Sequence, residues 1–177
     1  MFVVFIHGPA AAGKYTIGTR VAAELDVPLF HNHLTVDLAL ALFDFGTPPF
    51  RNLRAAIWKA AFEECARAGQ SFVFTFHPEA TVEPMLVDEL AGIVKTHGGK
   101  IFFVELQCSR GAVLQRLSNE SRRQFGKMTD PALYQAIEAQ GGFEFNGMPV
   151  SDLQVDTEAL EPARAAAVIV ETVRGAD

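Results

Sequence analysis

Gly8-Pro9-Ala10-Ala11-Ala12-Gly13-Lys14-Tyr15-Thr16 decides the fold. It has the pattern G-x-x-x-x-G-K and stands between an apolar run, residues 2–6, and a helical pattern in which Ile17, Val21 and Leu25 recur. Small residues let a backbone curl so that successive N–H groups point inward as an anion nest. The helix that follows adds the positive end of its dipole. Lys14 adds a point charge able to reach the β- and γ-phosphates of a nucleotide. Strand, loop and helix come in the required order, so the stretch is a phosphate-binding loop. One position departs from the usual pattern. Where a Ser or Thr normally offers Mg²⁺ a hydroxyl, the chain has Tyr15, whose phenol sits on too long and rigid an arm. Thr16 is the hydroxyl that remains, and it can still bond a phosphate oxygen.

Outward from the loop, strands and helices alternate. Strands are expected at residues 28–31, 71–76, 100–106 and 153–155. Helices are expected at residues 34–43, 51–68, from about 83 to 96, from Ser109, from Asp130-Pro131 and at 162–173. In the helix 51–68 the inward face is read as Leu53, Ile57, Ala61 and Cys65. Ser109 and Asp130 are N-cap residues, Pro131 suits a first helical position, and Gly69 suits a left-handed helix end. Short apolar strands alternating with helices imply an α/β chain with a five-stranded parallel sheet covered on both faces, a three-layer α/β/α arrangement.

The chain has 177 residues, 49% of them hydrophobic and 20% charged, and a formal net charge of −6. That is one globular domain, and its acidity argues against a nucleic-acid binder. No apolar run approaches the ~20 residues of a membrane span, and residues 1–6 read as a strand and not as a leader. Cys65 and Cys108 suggest no disulfide framework. They read as buried free thiols in a reducing compartment, the cytoplasm.

Ligands of such sheets bind beyond the carboxyl ends of the strands. Those ends carry His7; His31-Asn32-His33 with Asp37 a turn further; His77-Pro78-Glu79; Cys108-Ser109-Arg110; and Asp156-Thr157. The remaining histidine, His97, suits a helix C-terminus. Candidates for the proton-accepting base are Asp37, His33 and His77, with Asp37 favoured and the histidines orienting substrate. Arg51 and Arg54, on the first turn of their helix, are candidates to read a substrate anion. His31, His33 and His77 together permit a transition metal. No further ligand run accompanies them, so hydrogen bonding to substrate is favoured. Trp58 reads as core.

Over nearly its full length the chain resembles the small P-loop kinases: shikimate kinase, gluconate kinase, chloramphenicol phosphotransferase and the nucleoside monophosphate kinases. It looks most of all like shikimate-kinase-like P-loop proteins. The resemblance rests on residues 8–16, on Phe30-His31-Asn32-His33 where the family carries an acidic segment, on residues 116–127 where it carries an arginine-bearing lid, and on Val155-Asp156-Thr157 with Pro162 where it borders the adenine. It implies strand order 2-3-1-4-5, ATP and Mg²⁺ as cofactors, with Mg²⁺ held at Thr16 largely through water as in the G-K-x-T loops of adenylate-kinase-like enzymes, and γ-phosphate transfer to a small-molecule hydroxyl. It further implies a helical insert for substrate at 32–69 and a lid at 119–129. By the same resemblance Gly8 to Thr16, Arg116, Asp156 and Thr157 hold nucleotide, and Arg122 and Arg123, flanked by Lys127, close on the γ-phosphate. The departures leave the acceptor open. Arg54 replaces an expected glutamate, Phe76-His77-Pro78 replaces a glycine triplet, and two histidines replace an acidic pair. Two alternatives stand beside the small-molecule kinase. One is a nucleotide kinase or zeta-toxin-like phosphotransferase, with Arg51 and Arg54 on a phosphate. The other is a nucleotide-binding module without catalysis.

Overall fold

Valine, isoleucine and phenylalanine fill the strands because both sheet faces are covered, and continuous apolar runs are what a doubly covered parallel sheet requires. The computed structural model describes residues 1–118 and 128–176. In order they form β1 (Phe2–His7), α1 (Lys14–Leu25), β2 (Leu29–His31), α2 (His33–Leu40), α3 (Pro48–Ala68), β3 (Phe72–Phe76), α4 (Leu86–Thr96), β4 (Lys100–Gln107), α5 (Arg110–Leu117), α6 (Pro131–Ala139), β5 (Leu153–Asp156) and α7 (Pro162–Gly175). The sheet order is β2-β3-β1-β4-β5, all pairs parallel. The expected fold class and strand order are those observed.

The two faces differ in chemistry. Val4, Ile6, Val104 and Leu106 pack with α1 and α7 in an aliphatic layer. Val3, Phe5, Phe72, Phe74, Phe76 and Phe103 pack with α3 and α4 in an aromatic one. There Phe5 lies 5.1 Å, centroid to centroid, from both Phe74 and Phe103, and Trp58 meets Phe74 edge-on at 5.7 Å. Such pairs add about 0.5–1.5 kcal/mol each beyond the area they bury.

This aromatic layer corrects the reading of α3. Its buried stripe is Phe50, Arg54, Trp58, Phe62 and Ala66, one residue out of step with Leu53, Ile57, Ala61 and Cys65, which are half-buried. The large rings of Trp58 and Phe62 dock on Phe74 and outweigh the smaller aliphatic stripe. That rotation carries Arg54 inside. Helix α2 also ends at Leu40 and not at residue 43. The caps behave as read. Ser109 Oγ accepts from Ala112 N at 3.2 Å and Asp130 Oδ1 from Ala132 N at 2.8 Å, and Gly69 closes α3 in the left-handed region. His97 caps α4, its Nδ1 3.0 Å from Ile93 O. Cys65 and Cys108 are free but half-buried, not sealed. Among the described residues no helix is long and apolar enough to cross a membrane.

At Gly8, φ is 144° and a Cβ would stand 2.3 Å from Leu106 O, backbone that cannot retreat. Gly8→Ala is therefore expected to destabilise the chain by about 1–3 kcal/mol and to displace the phosphate loop. A lowered urea midpoint with an unchanged m-value checks it.

Candidate active site

The loop leaves β1 at His7 and turns through Ala11 at φ 59° and Gly13 at φ 91°, the latter capping α1. The turn is pinned from inside: Lys14 Nζ donates to Gly8 O at 2.8 Å and to Pro9 O at 2.6 Å. His77 Nδ1 lies 3.2 Å from Gly8 O. Because a carbonyl only accepts, Nδ1 carries the proton. Residues 10–17 form one wall of a cavity of about 950 Å³. Tyr15 does not aim along the loop, since its ring meets His31 edge-on at 5.1 Å. Thr16 lies on the cavity wall and is exposed, so it is the loop's hydroxyl, as the sequence implies.

At one end of the cavity Arg116 clamps Thr157. Its Nη1 donates to Thr157 Oγ1 at 3.0 Å and its Nη2 to Thr157 O at 2.7 Å. Thr157 Oγ1 in turn donates to Gln107 O at 3.0 Å. Arg116 and Thr157 thus come together on the wall, whereas Asp156 does not join them. Its Oδ1 accepts from Glu158 N at 2.8 Å and Ala159 N at 3.3 Å, a local turn that points the carboxylate away from the cavity. Expected as a nucleotide ligand, Asp156 is absent from the cavity wall and serves this turn.

At the other end stand His31, Asn32 and His33. Asn32 N is fixed by Thr75 Oγ1 at 3.2 Å. Helix α2 turns Val36 and Leu40 toward the cavity and leaves Asp37 with 57% of its side chain exposed. Asp37 therefore does not face the cleft as expected. It stands behind His33, Oδ1 to Nδ1 3.7 Å. Arg51 is likewise off the wall, paired at the surface with Glu83. Arg54 is on the wall but already committed. Its Nη1 donates to Glu79 Oε1 at 2.5 Å, and its Nη2 to Thr81 O and Oγ1 at 2.9 and 3.1 Å. Its guanidinium sits over Phe50 and Trp58, 5.2 and 5.1 Å from their centroids. Burial lowers its pKa and the Glu79 carboxylate opposes that. An arginine keeps its charge in either case. Glu79 and Thr81 were not read as functional, although Glu79 closes the His77-Pro78-Glu79 triplet at the end of β3.

His77 borders a second, smaller cavity of about 540 Å³, reached also by His7, Tyr134 and Phe143. Tyr134 stacks on Phe143 at 4.6 Å. His7 is buried on the β1 end, its Nε2 2.9 Å from Ser151 Oγ. Arg122, Arg123 and Lys127, with most of the 119–129 segment, lie outside the described residues. Among the described residues no group of three or more His, Cys, Asp or Glu is gathered for a metal.

No family model matches the chain. A shikimate kinase of Rhodococcus jostii (strain RHA1) is 40% identical over 62 residues, 32% of this chain and 37% of that protein. The match thus spans little more than a third of that relative. Solved structures match over nearly the whole length. The APS kinase of Mycobacterium tuberculosis, in complex with AMPPNP and APS, has a TM-score of 0.68 at 12% identity, covering 97% of this chain and 96% of that one. This is the fold of the small P-loop kinases. A gluconokinase from Sinorhizobium meliloti 1021 follows at TM-score 0.63 and 18% identity, covering 97% and 92%. A shikimate kinase from Acinetobacter baumannii, in complex with shikimate, has TM-score 0.60 at 14% identity, covering 99% and 94%.

Burial lowers the pKa of His7 from the ordinary 6.5 to about 4, Glu105 opposing and Lys14 assisting. The unfolded chain therefore holds more protons between those two values, and the stability His7 contributes above pH 6.5 is lost as pH falls through 4. The loss is on the order of 3 kcal/mol. Urea midpoints across that window should fall steeply for the natural chain and less for His7→Gln, which does not titrate there.

Proposed function

We propose that the chain is an ATP-dependent phosphotransferase acting on a small hydroxylated acceptor. One observation carries this: a single cavity is walled by the phosphate loop with Lys14 in the middle, by Arg116 and Thr157 at one end, and by His31, Asn32, His33 and Glu79 at the other. Phosphoryl transfer asks for little covalent help and much positioning and charge neutralisation, and the cavity has a cationic centre between two recognition ends. Residues 10–16 and the Arg116–Thr157 clamp receive ATP, and the far end receives the acceptor.

In the reaction the acceptor oxygen bonds to the γ-phosphorus as the bond from that phosphorus to the β–γ bridging oxygen breaks, and ADP leaves. The hydroxyl proton passes to a cavity base. His33 is on the wall with Asp37 behind it, so His33 is the proton acceptor and Asp37 supports the imidazolium. Mg²⁺ would neutralise the phosphates. Thr16 fits it, being the loop hydroxyl on the wall, with water completing a shell that Mg²⁺ gives up reluctantly. Residues 32–69 form the acceptor-side insert. The free thiols suit the cytoplasm. A nucleotide-bearing acceptor is less favoured, because Arg51 and Arg54 are already paired with Glu83 and Glu79. A second reading, nucleotide binding without transfer, is favoured by Tyr15, which turns to His31 where a Mg²⁺-binding hydroxyl is usual.

An ATP-consumption assay over a metabolite panel separates these readings. Turnover with some acceptor, reduced about 100-fold or more in Lys14→Ala, is the expected result. ATP binding that Lys14→Ala weakens, with transfer to no acceptor, supports the second reading.

A further inference from the structure

Glu79 is the one carboxylate on the acceptor end of the cavity wall among the described residues, the other wall glutamates, Glu158 and Glu161, standing at the Thr157 end. Only 8% of Glu79 is exposed, and its two oxygens are treated differently. Oε1 receives Arg54 Nη1 at 2.5 Å and Thr81 Oγ1 at 2.6 Å. Oε2 has no partner among the described residues, yet it is not sealed from solvent as the buried, unpartnered atoms Thr35 Oγ1 and Arg54 Nε are. Burying a carboxylate is costly unless its hydrogen bonds are made. Here one oxygen is locked in place and the other is left accessible on a residue of the cavity wall.

Resting on the kinase reading, we propose that Glu79 Oε2 anchors the acceptor by receiving one of its hydroxyl or amino protons, and that the acceptor is therefore a neutral or amino-bearing polyol and not a carboxylate. Arg54 is the positioning residue. The Arg54 cation stands between Phe50 and Trp58 and holds Oε1, which fixes the direction of Oε2. With 2% of the residue exposed, it offers little to an incoming anion. Nη1 and Nη2 are bonded to Glu79 and Thr81, and Nε is out of solvent's reach. A substrate carboxylate entering this end would meet the Glu79 oxygen first, at like charge. A hydroxyl or ammonium would meet an acceptor of unusual strength, since hydrogen bonds to a charged, poorly solvated partner are about twice as strong as neutral ones. The bond changes neither partner covalently. It fixes the polyol while another of its hydroxyls is transferred to.

The test uses probes of similar size and different charge: glucose, glucosamine and glucuronate, and a neutral cyclitol beside shikimate. Binding to the full chain is followed by ligand-observed NMR with AMPPNP and Mg²⁺ present. The neutral or amino probes are expected to bind in preference to their acids, and Glu79→Gln to weaken them about tenfold. Glu79→Gln leaves Arg54 unpaired and can unfold the chain, so the double variant R54M/E79Q, with no buried charge left alone, is measured beside it. Its melting temperature and AMPPNP affinity certify the fold. If the pair is only a brace between β3 and α3, the double variant binds the probes as the natural chain does, which overturns the proposal. Preference for the acids overturns it too, as does a folded, AMPPNP-binding chain that takes up no neutral or amino probe at about 10 mM, a weak-binding limit. The kinase reading fails separately, by AMPPNP affinity that is unchanged in Lys14→Ala.

Discussion

A parallel sheet buried on both faces has only its ends in contact with water, and that constraint places everything else. Polar side chains are kept out of the central strands β1 and β3 until their ends, so His7 and Thr75 occur where those strands finish. The order β2-β3-β1-β4-β5 puts the phosphate loop at the centre. Strands on one side of β1 bring His31, His77 and Glu79 to it, and strands on the other bring Thr157. Two recognition surfaces of different chemistry are thus delivered to one anion nest by topology alone.

The two faces of the sheet are not equivalent partners in this. The aliphatic face seats α1, whose N-terminus must be steady because it opens the nest. The phenylalanine face seats α3, and its rings do more than fill space. By docking Trp58 and Phe62 they rotate α3 until Arg54 points inward, and Phe50 and Trp58 then supply the surfaces on which its guanidinium rests. A buried cation of this kind persists only with a good counter-ion, and Glu79 is that ion. Hydrophobic packing and the electrostatics of the cavity wall are therefore one arrangement, running from Phe74 through Trp58 and Arg54 to Glu79.

Much of this was legible in the chain. The loop at Gly8–Thr16, the alternating elements and the caps at Ser109 and Asp130 could be read because each is encoded within a few residues. What failed to read depended on distant partners or on helix phase. Leu53, Ile57, Ala61 and Cys65 make as regular an apolar stripe as the true one. Arg54, in the competing stripe, reads as a candidate for a substrate anion until Glu79, far along the chain, is known to meet it. Asp37 stood at a favourable spacing from His33, but the start of α2 fixed which of its faces meets the cavity. Asp156 sits at a strand end like a ligand and is spent on its own turn, a use of Asp that competes locally with any distant one.

The bonds from Lys14 to Gly8 O and Pro9 O bear on discrimination. An ammonium already satisfied by two carbonyls gives up nothing to a neutral molecule, and little to a lone weak anion. Dense, multiply charged oxygens can displace both carbonyls at once, because they repay the exchange with full Coulombic attraction near the helix start. A loop pinned in this way favours anions of high charge density over singly charged ones.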